Sequence, residues 1–247
     1  MAKHPSPCAT RPSDVCASDA AMVGSLIQDL NAYRYGPLAA GKPHNLVVLL
    51  HGLGSNGQDL ISLAPVWAAE MPNTLFVSPD APFVCDMAPP GFDGSFQWFS
   101  LREWTQEAML KGAENAFPIV DNFLDKLLKS TGLSEDKMVL AGFSQGTMMA
   151  LYAALRRKNA CAGILGYSGA LLGGGQLKNA NIHKIPTCLI HGGVDNVVPI
   201  TAWHQAIDQL RDADIPVEGE IIPGLAHGID DRGIKIGSRF LRQCLGS

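Results

Sequence analysis

The chemistry legible in this 247-residue chain begins with a serine flanked by glycines, in Gly142-Phe143-Ser144-Gln145-Gly146. A serine hydroxyl is a poor nucleophile until a base takes its proton. A G-x-S-x-G pentapeptide addresses the geometry: its serine sits on a tight, strained turn between a strand and a helix, and the small flanking residues let helix and strand pack closely. The flanks here fit that context. Met138-Val139-Leu140-Ala141 reads as a strand, and residues 145–157 place Met148, Met149, Leu151, Tyr152 and Leu155 at helical spacing. The start of such a helix also favours negative charge near Ser144. The competing reading is a tight turn with an inert serine. A rival serine, Ser168, stands in Gly166-Tyr167-Ser168-Gly169-Ala170, but Gly173-Gly174-Gly175 follows and leaves no good helix behind it. Ser168 reads better as a strand end or a pocket edge.

A nucleophilic serine needs a base, and the base needs an acid to orient it. Where a serine occupies such a turn, the acid and then the histidine follow it in the chain. Of seven histidines, His183, His191, His204 and His227 come after Ser144. His227, in Gly224-Leu225-Ala226-His227-Gly228, falls between the last strand-like and the last helix-like segment, and is the expected base. Asp195, in His191-Gly192-Gly193-Val194-Asp195-Asn196-Val197-Val198-Pro199, follows a strand end and precedes a helix, and is the expected acid. Asp208, Asp212 and Asp214 belong in or near a solvent-facing helix, and Asp230 and Asp231 read as the start of the last helix. Acyl transfer also needs donors for the charge that develops on the carbonyl oxygen. The N–H of Gln145, next after the serine, is one. The loop His51-Gly52-Leu53-Gly54-Ser55-Asn56-Gly57 follows an early strand, and the Leu53 N–H is the expected second. The same glycine-rich loop lacks both G-x-G-x-x-G and the G-K-[ST] ending of a phosphate cradle, so nucleotide binding is set aside.

The elements that must position these residues alternate. Apolar runs at residues 46–50, 74–78, 138–141, 163–167, 187–191 and 218–222 suit strands buried on both faces. Helical periods lie between them, at residues 59–70 (with a break or restart at Pro65), 103–128 (with an interruption or second helix at Pro118), 145–157, 201–211 and 232–245. This is an α/β pattern: a mostly parallel central sheet wrapped by helices, whose strand C-termini share one edge. Sheets of this kind build their sites at that edge. Residues 80–94, rich in Pro and Gly, form the longest irregular stretch and read as a loop over the site. The apolar residues between positions 82 and 99 suit either a dimer surface or a cover for the site.

Composition removes other classes. Hydrophobic residues make up 47% and charged residues 17%, and the formal net charge is −4, which is no footprint for nucleic acid. The six cysteines show no C-x-x-C pair and no zinc spacing, so no metal site is expected and they read as reduced thiols of a cytoplasmic protein. No stretch approaches a membrane span. Residues 1–21 read as a flexible leader and residues 22–247 as one domain.

Six ordered motifs together resemble the phospholipase/carboxylesterase family, which includes acyl-protein thioesterases and small bacterial carboxylesterases. They are residues 51–57, Ser78-Pro79-Asp80-Ala81-Pro82, Gln97-Trp98-Phe99-Ser100, residues 142–146, residues 192–199 and Leu225-Ala226-His227-Gly228. The resemblance covers the chain from about residue 46 onward. It implies an α/β-hydrolase fold without a large cap, no cofactor, Ser144, Asp195 and His227 as a catalytic triad, and Leu53 and Gln145 as oxyanion donors. It also places Trp98 and Phe99 beside the acyl pocket, against the plain reading of core aromatics. The implied activity is hydrolysis of a small-molecule carboxylic ester or thioester through an acyl-enzyme. Lysophospholipase or acyl-protein thioesterase activity is the alternative, with a lipid substrate and a homodimer left open. A peptidase of the same fold would need a larger cap, and a non-catalytic binding protein would tend to lose a triad member. The chain departs from the family pattern in its leader, in Met87-Ala88-Pro89-Pro90-Gly91 of the variable loop, and at Ser100, where an acidic residue is common.

Overall fold

The computed structural model describes residues 29–246 apart from Pro90 and Asp93; the leader expected at residues 1–21 lies outside them. Seven strands form the central sheet. In chain order they are β1 (Ala32–Tyr35), β2 (Asn45–Leu50), β3 (Thr74–Pro79), then, after a two-stranded β4–β5 pair (Phe83–Val84 and Phe96–Gln97), β6 (Met138–Phe143), β7 (Gly163–Tyr167), β8 (Thr187–Gly192) and β9 (Val217–Ile222). Their spatial order is β1-β3-β2-β6-β7-β8-β9. Every neighbouring pair is parallel except β1 with β3. The doubly wound α/β architecture expected from the alternation is therefore present.

Strands β2, β3, β6, β7 and β8 are apolar along nearly their whole length because both of their faces are covered. Leu46, Val48 and Leu50 join the core under α3 (Gln106–Thr131), α4 (Gln145–Arg156) and α5 (Ile200–Asp212). Val47 and Leu49 face the other way, toward Trp67 of α2 (Ala64–Glu70) and Phe240 and Leu241 of α6 (Asp231–Leu245). The short α1 (Gly57–Ile61) precedes α2, and Pro65 at the start of α2 accounts for the break between them.

Pro118 does not interrupt its helix, contrary to the sequence expectation: α3 runs unbroken for 26 residues. Proline forfeits one backbone bond, here to Glu114, and costs about 3 kcal/mol in a helix interior. Seven buried side chains along α3, from Met109 to Leu128, outweigh it, at roughly 1.5–3 kcal/mol for each large one. Three further strands have no counterpart in the sequence pattern. β1 is four residues long and half-buried, and part of the 80–94 stretch pairs as β4 with β5. The four described cysteines are free thiols. No helix among the described residues is long and apolar enough to cross a membrane.

Candidate active site

Ser144 stands between β6 and α4 with φ 54° and ψ −117°, a conformation L-residues rarely adopt. Tight packing imposes it. A Cβ on Gly142 would lie 2.4 Å from the backbone of Gly146, and one on Gly146 would lie 1.8 Å from the Leu50 carbonyl oxygen. Only glycine lets α4 approach β6 and β2 so closely. The Ser144 N–H donates to the Tyr167 carbonyl at 2.8 Å, tying the turn to β7. The Thr147 hydroxyl lies 2.8 Å from both the Gly142 and Tyr167 carbonyl oxygens and accepts the Tyr167 N–H at 3.0 Å.

His227 and Asp195 arrive from the loops after β9 and β8. His227 Nδ1 lies 2.8 Å from Asp195 Oδ2. Asp195 Oδ1 accepts the N–H groups of Val197 and Val198, each at 2.9 Å. Burial works to raise the Asp195 carboxyl, but the hydrogen bonds from His227 and the two backbone donors outweigh it and hold the group below the usual carboxylate range. A carboxylate so held accepts the hydrogen bond of the imidazole Nδ1–H, keeps the proton on that nitrogen and leaves Nε2 as the basic one. The His227 ring packs on Phe143, the residue before the serine, with centroids 4.9 Å apart. Ser144, Phe143 and His227 line one groove of about 450 Å³.

Gly52 and Leu53 line the same groove. A Cβ on Gly52 would meet Ser144 Cβ at 3.4 Å, so the β2 loop lies against the serine. The Leu53 N–H makes no hydrogen bond among the described residues, and the Gln145 N–H, first in α4, has no acceptor within its helix. Two such donors flanking a serine can receive the oxygen of a carbonyl under attack.

Trp98 and Phe99 are placed in the core and not on the groove: they are 0% and 3% exposed. Their contribution is to hold the site from behind. The Trp98 indole N–H donates to the His51 carbonyl at 2.8 Å. The buried Gln145 side chain clips their backbone, accepting the Trp98 N–H at 2.9 Å and donating to the Phe99 carbonyl at 2.7 Å. His51 donates from Nδ1 to the Gly52 carbonyl at 2.7 Å and accepts the Ala81 N–H at Nε2, 3.0 Å away. Burial pushes its pKa down, against the Gly52 hydrogen bond and the charges of Asp80 and Asp59. Asp80 caps α1 through the Gly57 N–H at 2.8 Å.

The rivals fall elsewhere, apart from His191, which lies 3.5 Å from Asp195 Oδ2 but is 1% exposed and does not line the groove. Ser168 also has positive φ, 48°, but it is 1% exposed and does not line the groove. His183 lies 2.9 Å from the Arg157 carbonyl, and Asp212 and Asp214 each pair with a lysine. Asp230 caps α6 through the Gly233 N–H. Ser100, at the position where an acid is common, donates to Asp86 at 2.6 Å. The groove walls that sequence reasoning missed are Asp59, Leu60, Leu101, Trp104, Val197 and Ile229. They come from α1, from the stretch before α3 and from the loops after β8 and β9, segments far apart in the chain, so no local pattern announces them. Val197 alone carried a signal, as an apolar residue inside the Asp195 motif.

Comparison with known proteins agrees with this architecture. Residues 38–245 match the family model described as Phospholipase/Carboxylesterase. Acyl-protein thioesterase 1 of Schizosaccharomyces pombe is 26% identical over 215 residues, covering 81% of this chain and 91% of its own. Esterase YpfH of Escherichia coli is 27% identical over 199 residues, 80% and 82% of the two chains. The crystal structure of esterase PE8 superposes with a TM-score of 0.82 at 38% identity, over 88% of this chain and 100% of that one. The chain belongs to the phospholipase/carboxylesterase family, hydrolases of the α/β-hydrolase fold.

Proposed function

We propose that the chain is a serine carboxylesterase or thioesterase in which Ser144 is the nucleophile, His227 the general base and Asp195 its orienting acid. His227 takes the Ser144 proton at Nε2 as Oγ attacks the acyl carbonyl. The N–H groups of Leu53 and Gln145 receive the oxyanion. Collapse of the tetrahedral intermediate expels the alcohol or thiol, which leaves with the proton from His227. Water, deprotonated in turn by His227, attacks the acyl-enzyme and releases the acid and Ser144. The observation that carries this reading is the 2.8 Å contact from Asp195 Oδ2 to His227 Nδ1, in a groove His227 shares with Ser144. The names of the relatives, esterase and acyl-protein thioesterase, support the bond class.

The test is Ser144→Ala probed with a fluorophosphonate. The parent should label and hydrolyse p-nitrophenyl butyrate; the variant should melt at a similar temperature and do neither. Undiminished labelling of the variant would exclude Ser144. We place the enzyme in the cytoplasm on the strength of its free thiols. Phe83, Val84, Met87 and Phe92, all exposed around the β4–β5 pair, are the surface on which a second copy would pack.

A further inference from the structure

The groove that holds Ser144 has an uneven chemistry. Its walls are apolar at Leu53, Leu60, Leu101, Phe143 and Ile229, and its mouth carries Trp104 and Val197, 52% and 49% exposed. Neither lysine nor arginine lines it, and its one carboxylate is Asp59. The Ser55 hydroxyl donates to Asp59 Oδ2 at 2.8 Å, which orients the group without neutralising it. No ion pair involves Asp59 among the described residues. Three acids stand beside the walls in the chain: Glu103 precedes Trp104, and Asp230 and Asp231 follow Ile229. The two nearby cations are engaged elsewhere. Arg102 donates to the Asp86 carbonyl at 2.6 Å, and Arg232 pairs with Glu220.

An apolar cleft with one uncompensated carboxylate raises the local concentration of cations and lowers that of anions. A phosphate or carboxylate on the substrate would find no guanidinium or ammonium in the groove to receive it. We infer that Asp59 is a specificity-determining residue, making this groove select apolar acyl esters or thioesters whose leaving group is neutral or cationic and disfavour those bearing a phosphate, sulfonate or carboxylate. The inference rests on the reading of Ser144 as nucleophile and narrows its substrate class.

Three butyryl thioesters test it, with thiol release followed by a disulfide reagent: cationic butyrylthiocholine, its neutral 3,3-dimethylbutyl analogue, and the anionic 2-sulfonatoethyl thioester. Asp59→Asn keeps an acceptor for Ser55 and removes the charge. Dividing variant by parent kcat/KM for each substrate cancels intrinsic reactivity. Relative to the neutral ester, the variant should gain about 5-fold on the sulfonate and lose about 5-fold on the choline ester, the size expected for exposed unit charges about 4 Å apart and screened as in bulk water. Both shifts should shrink at high salt, because Asp59 is exposed. If the parent is active but the three ratios move together, or none moves, the inference is overturned and the nucleophile assignment stands. If the parent turns over none of the three while a fluorophosphonate leaves Ser144 unlabelled, the underlying reading fails and takes this one with it.

Discussion

Asp195→Asn isolates the acid from the rest of the site, because the structure dictates how an amide must sit there. Asp195 Oδ1 accepts two backbone N–H groups, from Val197 and Val198, at 2.9 Å each. An asparagine at this position must keep its oxygen on those donors, since turning the NH2 toward them would set donor against donor. The NH2 therefore faces His227 Nδ1, where Asp195 Oδ2 stood at 2.8 Å. The imidazole then accepts at Nδ1 and carries its proton on Nε2, toward Ser144, so it can no longer take the serine proton. Loss of the correct tautomer costs about 10⁴-fold in kcat where a triad aspartate is replaced by its amide. That is about 5.5 kcal/mol of transition-state stabilisation. Fold and groove should persist, because the amide retains the backbone bonds. The assay is kcat and KM on p-nitrophenyl butyrate beside a thermal melt. A variant within about tenfold of the parent in kcat, with an unchanged melt, would refute the tautomer argument and with it the role assigned to Asp195.

Two further outcomes follow from the packing and the buried imidazoles. Gly146→Ala would place a methyl 1.8 Å from the Leu50 carbonyl oxygen, a backbone atom that cannot turn away. The expected cost is about 3 kcal/mol or more, a drop in Tm on the order of 10 °C, and an unchanged melt would contradict the close approach of α4 to β2. His51 and His191 are held below their ordinary value of 6.5, first by burial, and so are neutral in the folded chain. The unfolded chain takes up their protons as pH falls below about 6.5, so stability should decline by up to about 1.4 kcal/mol per pH unit for each histidine until the folded-state value is passed. Denaturant midpoints between pH 7 and 5 measure this slope, His191→Gln should reduce it by one proton, and a flat profile would contradict neutral burial.

What could be read from the sequence divides along the range of the interactions involved. Ser144 was legible because an elbow is a local device: an apolar strand, two glycines and a helical period within about twenty residues. Asp195 and His227 were legible as ordered loop residues after strands, although only the fold shows them 2.8 Å apart. Pro118 misled because its local cost is smaller than the tertiary packing along α3, which a helical period alone does not weigh. β1 escaped because it is only four residues long, too short for its one Tyr-Arg-Tyr alternation to stand out, and is placed only by pairing with β3 at the edge of the sheet. Trp98 and Phe99 stood out as a motif, but the motif's position does not say which way an aromatic faces; here the Gln145 amide draws both into the core. Asp59, Trp104 and Ile229 meet only through the folded chain, so nothing in their neighbourhoods singled them out.

The site is thus built at two levels of rigidity. A non-glycine residue at φ 54° costs on the order of 1–3 kcal/mol and persists only where its surroundings over-determine it. Around Ser144 they do: its N–H is bound to β7, Thr147 bridges the Gly142 and Tyr167 carbonyls, and two glycines bring α4 against the central strands. Each of these contacts involves the backbone of the sheet itself, so altering one disturbs the fold. The groove rim has no such anchorage. Asp59 lies on a five-residue helix, Trp104 precedes α3, and Val197 and Ile229 lie in loops after β8 and β9, with Trp104 and Val197 about half-exposed. Substitutions at exposed loop positions usually change stability by no more than about 0.5 kcal/mol. In this chain the residues that choose the substrate can therefore change without disturbing those that would perform the acyl transfer, and a rim variant that alters selectivity while leaving Tm in place is the physical consequence of that separation.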